Sequence, residues 1–444
     1  MSTLTFEPPG PGTWQQDRSH MPEPMTRLGF DLARGPFGEG FTQSFVDYGV
    51  PIQSVTMAQI HGYMYLRMQF AGEPGPDGPP DPAETGAFIG RCAAAAEQAF
   101  AQKLWRDVIR RWDAELKPAA IATSVRLSAV DLAALDDAAL AAHLEETLVH
   151  NGAMVALHHR YNTSAMIPVG DFLLHAAGWT ARPPTAMLAL FEGSSPVSGV
   201  WSNDIEPAAK AIMLDPDAAA ILASDEDDAA RLATLRARVP EVDAWVLLVG
   251  CRIADGFDVT KPTLVEVPGL LLGKLAAAVA LGGPPARPGL ADVEADVRGA
   301  VPADHLDEYD ELLADARLVY RLRDERGVYT NMASTGLARL ALLELGRRLV
   351  ARGVVEDPEH VFETTADEVR ALAGGAREPV AAELRERTDA RIAAALVDAP
   401  PLLGPPPSPP PPPEAMPPAL GRVVSAIGFA IDSILNGLAE PSVD

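Results

Sequence analysis

The chain has 444 residues, with 61 acids against 36 bases and a net charge of −25. A field of that sign repels phosphate backbones and anionic lipid, which argues against nucleic-acid and membrane-surface roles. Two cysteines, Cys92 and Cys251, are too few for a disulfide framework or a cysteine-based zinc site.

No run of about 18 or more uninterrupted apolar residues is present, and the first thirty residues lack a basic start followed by an apolar stretch. A cytoplasmic protein is therefore expected. Length and composition predict two or three substructures around one helical body.

In chain order, residues 1–40 are rich in Pro and Gly and predict an extended lead-in carrying Trp14 and His20. A short strand or hairpin is expected around His61-Gly62-Tyr63-Met64-Tyr65, followed by an exposed loop at 71–85. Helical spacing begins near Gly86. Ala101, Trp105, Val108, Ile109, Trp112 and Leu116 share one stripe, and Pro118 is expected to end that helix. A long helix follows over about 137–161, then shorter ones at 184–191, 205–223, 226–239 and 265–281.

Gly282–Pro288 reads as a break and a candidate subdomain boundary. Two more long helices are expected over 290–323 and 330–352, then a short strand at Val361–Glu363. Thr365-Ala-Asp-Glu368 is a capping box and starts a helix. The expected organisation is one mainly α, multi-helix domain over 1–400 with a few short strands. A Pro-rich linker at 401–418 and a C-terminal helix and tail at 419–444 complete it. In polyproline II form, Pro405–Pro413 would span about 28 Å as a semi-rigid spacer.

Several segments, taken in order, carry a family likeness. They are Trp14-Gln-Gln-Asp17-Arg-Ser-His20-Met-Pro22, His61-Gly-Tyr-Met-Tyr65 and Gly250-Cys-Arg252 with Phe257-Asp258-Val259 and Glu266-Val-Pro268. Arg323-Asp324 and Gly353-Val-Val-Glu-Asp357-Pro358-Glu-His-Val361-Phe362 complete the series. Together they resemble the helical acceptor-binding region between the ATP-grasp and phosphohistidine domains of the rifampin phosphotransferase and phosphoenolpyruvate synthase-like family.

The resemblance implies a substrate-binding domain or subunit of an ATP-dependent histidine-relay phosphotransferase, acting on a hydroxyl of an apolar small molecule. Neither a nucleotide-binding segment nor a phosphohistidine loop is visible, so the chain is not expected to transfer phosphate alone. It is expected to bind no cofactor itself; ATP and Mg²⁺ are implied on ATP-grasp and phosphohistidine domains or subunits. The alternative is a non-catalytic helical binding or scaffold protein derived from such a domain.

Arg323 ends an inward stripe of Leu306, Tyr309, Leu313, Ala316 and Tyr320. A guanidinium there can hold a phosphoryl group through its fork, whereas an ion pair with Asp324 is the ordinary reading. The family motif resembles Arg-Glu-x-x-Lys. Here Arg323-Asp324-Glu325-Arg326-Gly327 has Gly at the Lys position, so Arg326 either substitutes or that contact is lost.

His143, His150 and His158 share a helical stripe, and a neutral imidazole among them can take the acceptor's proton. His150 and His158 are the candidates, against a role as hydrogen-bonded interhelical histidines. No metal site is expected, because Glu146 is the only carboxylate at helical spacing from them. An acceptor pocket is expected from Met154, Met166, Phe172, Trp179, Met187, Phe191 and Trp201, with ordinary core as the competing reading. Arg252 joins the candidate binding residues, against an internal brace to Asp258 or Glu266.

Overall fold

The computed structural model describes residues 4–75, 78–286, 289–407 and 411–436. It is mainly α-helical, with one small antiparallel sheet of strand order β2-β3-β1-β4. The strands are β1 (Trp14–Gln16), β2 (Ile52–Ile60), β3 (Tyr63–Phe70) and β4 (Leu402–Leu403). Among the described residues no helix is long and apolar enough to cross a membrane.

The lead-in is not extended throughout. Helix α1 spans Arg27–Tyr48 and is capped by Thr26, whose hydroxyl accepts from Gly29 N at 3.0 Å. Local propensity argues against this helix, since it contains Pro36 and several glycines. Tertiary packing overrides it. A Cβ at Gly40 would lie 2.3 Å from the Ala156 carbonyl, so the glycine permits the close approach of two helices. The partner is α5 (Asp137–Arg160), the long helix expected from the sequence.

The β2–β3 hairpin forms where expected and turns on His61 and Gly62, both with positive φ. Helix α2 (Pro82–Gln102) follows, then α3 (Leu104–Arg111), one wide π turn at Trp112–Leu116, and α4 (Lys117–Ser128). Pro118 thus does not end a helix; the π turn before it carries the helical path on into α4.

Helix α6 (Asn162–Thr180) is buried nearly all round. The next four are α7 (Glu206–Leu214), α8 (Pro216–Leu222), α9 (Asp228–Arg238) and α10 (Pro240–Val249). With α11 (Pro268–Leu281) they enclose a core of their own that includes Ile205, Leu235, Trp245 and Leu275. Part of the expected break at 282–288 lies outside the described residues.

The single helix expected over 290–323 is interrupted. It divides into α12 (Leu290–Gly299), α13 (Leu306–Tyr320) and α14 (Leu322–Arg326), with Gly299 and Pro302 at the first interruption. A second π turn, Gly327–Asn331, leads into α15 (Met332–Ala351). Pro358–Glu363 is a 3₁₀ turn and not the expected strand, with Asp357 capping it on Glu359 N. The Thr365 capping box is present and opens α16 (Ala366–Ala373); α17 (Ala381–Ala394) follows.

The C-terminal segment is a docked part of the fold. Leu402–Leu403 pairs with β1, and α18 (Pro418–Ala430) lies along α6 with Val423 and Ala426 fully buried. Arg422 grips Asp171 with two contacts of 2.7 Å. Residues 408–410 of the expected linker, and the tail from 437, lie outside the described residues.

Candidate functional site

Two concave regions hold the chemistry-bearing residues. One is a narrow cavity with about 50 Å³ of free space, room for about four waters. Its apolar lining includes Met21, Met25, Met57, Met64, Phe37 and Phe257. Its polar wall holds Asp17, His20, Asn151, His158 and His159. The other is an open cleft of about 1010 Å³ between the 188–206 segment, residues 284–286 and the end of α13 with α14.

Five distant parts of the chain build the narrow cavity: the lead-in with α1, the β2–β3 hairpin, α5, the 257–259 loop, and Asn331 with Thr335 at the start of α15. Asp258 ties the fourth side down by accepting from Thr26 N and Thr26 Oγ1, both at 3.1 Å. This places Phe257 against His20, with ring centroids 5.6 Å apart. His20 Nδ1 lies 2.9 Å from Asp17 Oδ2. Asp17 also accepts from Ser19 Oγ at 2.8 Å and His20 N at 3.0 Å. Burial alone would raise the Asp17 carboxyl, but His20 and Ser19 outweigh it and hold the group below the usual carboxylate range.

His158 and His159 form the deep wall. Burial, with the charge of Arg326 added, pushes both imidazoles well below their ordinary range. They are therefore neutral at physiological pH. His158 Nδ1 donates to the Arg326 carbonyl at 3.3 Å, and His159 packs against Phe37 and Phe41. His150 lines neither cavity. Its Nε2 is 3.1 Å from Ser124 Oγ, an interhelical contact.

Arg323 and Asp324 line the open cleft together with Phe191 and Trp201. Arg323 forms no ion pair among the described residues; Nη1 donates to Tyr320 OH at 3.2 Å, and the guanidinium lies 5.8 Å from the Tyr320 ring centroid. Tyr320 in turn stacks on Phe191. The Arg323–Asp324 ion pair considered from the sequence is absent, because Asp324 instead accepts from Ser198 Oγ. Arg321, two residues earlier, takes the ion-pair role. It joins Lys117 and Trp112 around the fully buried Glu325 carboxylate.

Arg326 lines neither region and is buried between His158 and the end of α14 that carries Arg323. Its Nη1 donates to the His158 carbonyl at 2.8 Å, and its buried Nε has no partner. Burial first, then the charge of Arg323, pushes this guanidinium down to about 10, which still leaves it charged at neutral pH.

The remaining sequence-derived candidates separate. Phe172 and Met187 are fully buried core side chains, and Met166 and Trp179 pack against that core. Met154 lines neither cavity. Arg252 is a brace, but to Asp204 at 2.9 Å; Asp258 and Glu266 are held by Thr26 and Arg339 instead. Sequence reasoning missed Asp17, His20 and the Met21, Met25, Met57 and Met64 quartet as cavity residues. The only local signal was the Asp17-x-x-His20 spacing. Among the described residues no group of three or more His, Cys, Asp or Glu is arranged to hold a metal ion. No family model matches this chain, and neither does any curated protein sequence.

Proposed function

We propose that the chain is the acceptor-binding part of an ATP-dependent histidine-relay phosphotransferase. The apolar end of a hydroxylated small molecule occupies the methionine-lined cavity. Arg326 and Arg323 hold the phosphoryl group as it arrives through the open cleft. The phosphohistidine and ATP-grasp domains or subunits, with ATP and Mg²⁺, supply that group.

One observation carries the reading. Arg326 is a buried guanidinium with an unsatisfied Nε and no carboxylate partner among the described residues, in a chain of net charge −25. The Asp324 charge offsets this buried cation only in part, since the group is still held below its ordinary range, and an anionic ligand relieves the remaining cost. Arg323 stands beside it on the cleft side, so the two can share one phosphoryl group. Methionines suit the acceptor end, because their flexible thioethers adapt to ligand shape and a 50 Å³ cavity must widen to take a larger molecule.

The test begins with the whole chain and inorganic phosphate. Phosphate should raise the melting temperature of the wild type, and Arg323→Gln and Arg326→Met should each remove most of that rise. Reconstitution with ATP-grasp and phosphohistidine units should then transfer phosphate to apolar alcohols, and Arg323→Gln should abolish turnover. A wild type that ignores phosphate defeats the reading.

A second reading, a non-catalytic binding or scaffold protein, draws support from the core positions of Met166, Phe172, Trp179 and Met187. It requires alcohol binding without any phosphate response.

A further inference from the structure

The proposed transfer needs a group to take the acceptor's proton, and the cavity presents three imidazoles: His20, His158 and His159. Charging His158 would put an imidazolium in a dry site beside the Arg326 guanidinium, which repels it. His159 is enclosed by the Phe37 and Phe41 rings, and its Nδ1 already faces Asn162 Nδ2 at 3.4 Å. His20 differs on both counts. Its side chain is 58% exposed, and the buried Asp17 carboxylate, 2.9 Å from Nδ1, offsets a charge on the ring.

The Asp17 contact also fixes orientation. A carboxylate can only accept, so Nδ1 carries a proton, and in the neutral ring Nε2 keeps its lone pair. Among the described residues nothing bonds to Nε2. The Ser19 and His20 backbone amides hold Asp17 in place, at 3.2 Å and 3.0 Å, so the pair is preorganised by its own tight turn.

We propose that His20, positioned by Asp17, takes the proton from the hydroxyl of an alcohol whose apolar part lies among Met21, Met25, Met57 and Met64; the inference rests on the acceptor reading above. The acceptor O–H bond breaks and its proton goes to His20 Nε2. The oxygen bonds to phosphorus as the P–N bond of the donor phosphoramidate breaks, and that electron pair returns to the donor imidazole nitrogen. His20 is then an imidazolium against Asp17 and loses its proton to solvent through its exposed edge.

The test uses the full chain labelled with ¹⁵N-histidine and ¹³C-methyl methionine. The probes are 1-butanol and, as a control without a hydroxyl, 1-chlorobutane. Both should shift the methyls of Met21, Met25, Met57 and Met64, and butanol alone should shift His20 Nε2, with His20→Gln supplying the assignment. Asp17→Asn should convert the single His20 tautomer into a mixture. Methyl shifts with both probes but an equal Nε2 response would overturn the proton-acceptor role while leaving the cavity reading intact. An unchanged tautomer in Asp17→Asn would remove Asp17 as the positioning residue. Methyls that ignore both probes would sink the acceptor cavity itself.

Discussion

Arg326 donates from Nη1 to the main-chain carbonyl of His158 at 2.8 Å, and His158 Nδ1 donates back to the main-chain carbonyl of Arg326. This reciprocal pair joins α5 to the last residue of α14. It sets a guanidinium with no ion pair among the described residues, offset only by the nearby Asp324 charge, behind a wall of neutral imidazoles. Evolved cores rarely keep an arrangement of this kind unless a ligand completes it.

Arg326→Met should therefore stabilise the free protein by about 1 kcal/mol while removing its response to phosphate. Loss of the hydrogen bond to His158 opposes the gain, and removal of a buried cation outweighs it. Urea melts with and without phosphate measure both effects. A variant that is less stable and still phosphate-responsive contradicts the assignment.

Acid should weaken the fold through His158 and His159. Their folded-state pKa values lie well below the ordinary 6.5, so the unfolded chain binds protons first as pH falls. The stability from neutral burial is complete above about 6.5 and is lost as pH drops below it, at up to about 1.4 kcal/mol per pH unit for each ring. The Arg326 guanidinium and the His20 ring face them, with Asp17 beyond His20, and the Arg326 charge reinforces the effect. His159→Phe should flatten this slope in melting temperature between pH 6.5 and 5.

Glu325→Gln should destabilise the chain by about 3 kcal/mol. Its fully buried carboxylate accepts from Trp112 Nε1 at 2.6 Å, Lys117 Nζ at 3.0 Å and Arg321 Nη1 at 2.9 Å. Gln keeps the shape but leaves two cations short of a counter-charge. Because Glu325 lies between Arg323 and Arg326 in sequence, phosphate affinity should fall together with stability. Chemical denaturation and phosphate titration on one sample decide the point.

Gly170→Ala should lower stability by about 1–3 kcal/mol through overpacking. A Cβ there would lie 1.8 Å from the Ala426 carbonyl, so α18 must move off α6. Hydrogen exchange should then rise across 418–430. Uniform protection in the variant would mean that the C-terminal helix does not depend on this contact.

Much of the fold is legible locally. The stripe on α5, the hairpin at His61-Gly62 and the Thr365 box each state their structure within a few residues, because helix periodicity, turn chemistry and capping are short-range effects. Helix α1 is not legible, since its glycines are unfavourable alone and useful only against α5, β2 and the Asp258 loop. The same limit explains Phe172 and Met187. An apolar stripe says that a face will be buried, and a core and a ligand pocket bury the same kind of face.

By itself the sequence determined the helical class, the inward direction of the stripe ending at Arg323, and an acidic chain in which unpaired arginines carry weight. Tertiary structure alone decided that Arg323 lines the cleft and His158 the cavity, that Arg326 bonds to the His158 carbonyl, and that Asp17 and His20 line one cavity with four methionines. The physical reason is distance along the chain. The cavity draws on the lead-in with α1, the hairpin, α5, the 257–259 loop and the start of α15, and no periodicity within one segment encodes which other segment it will face.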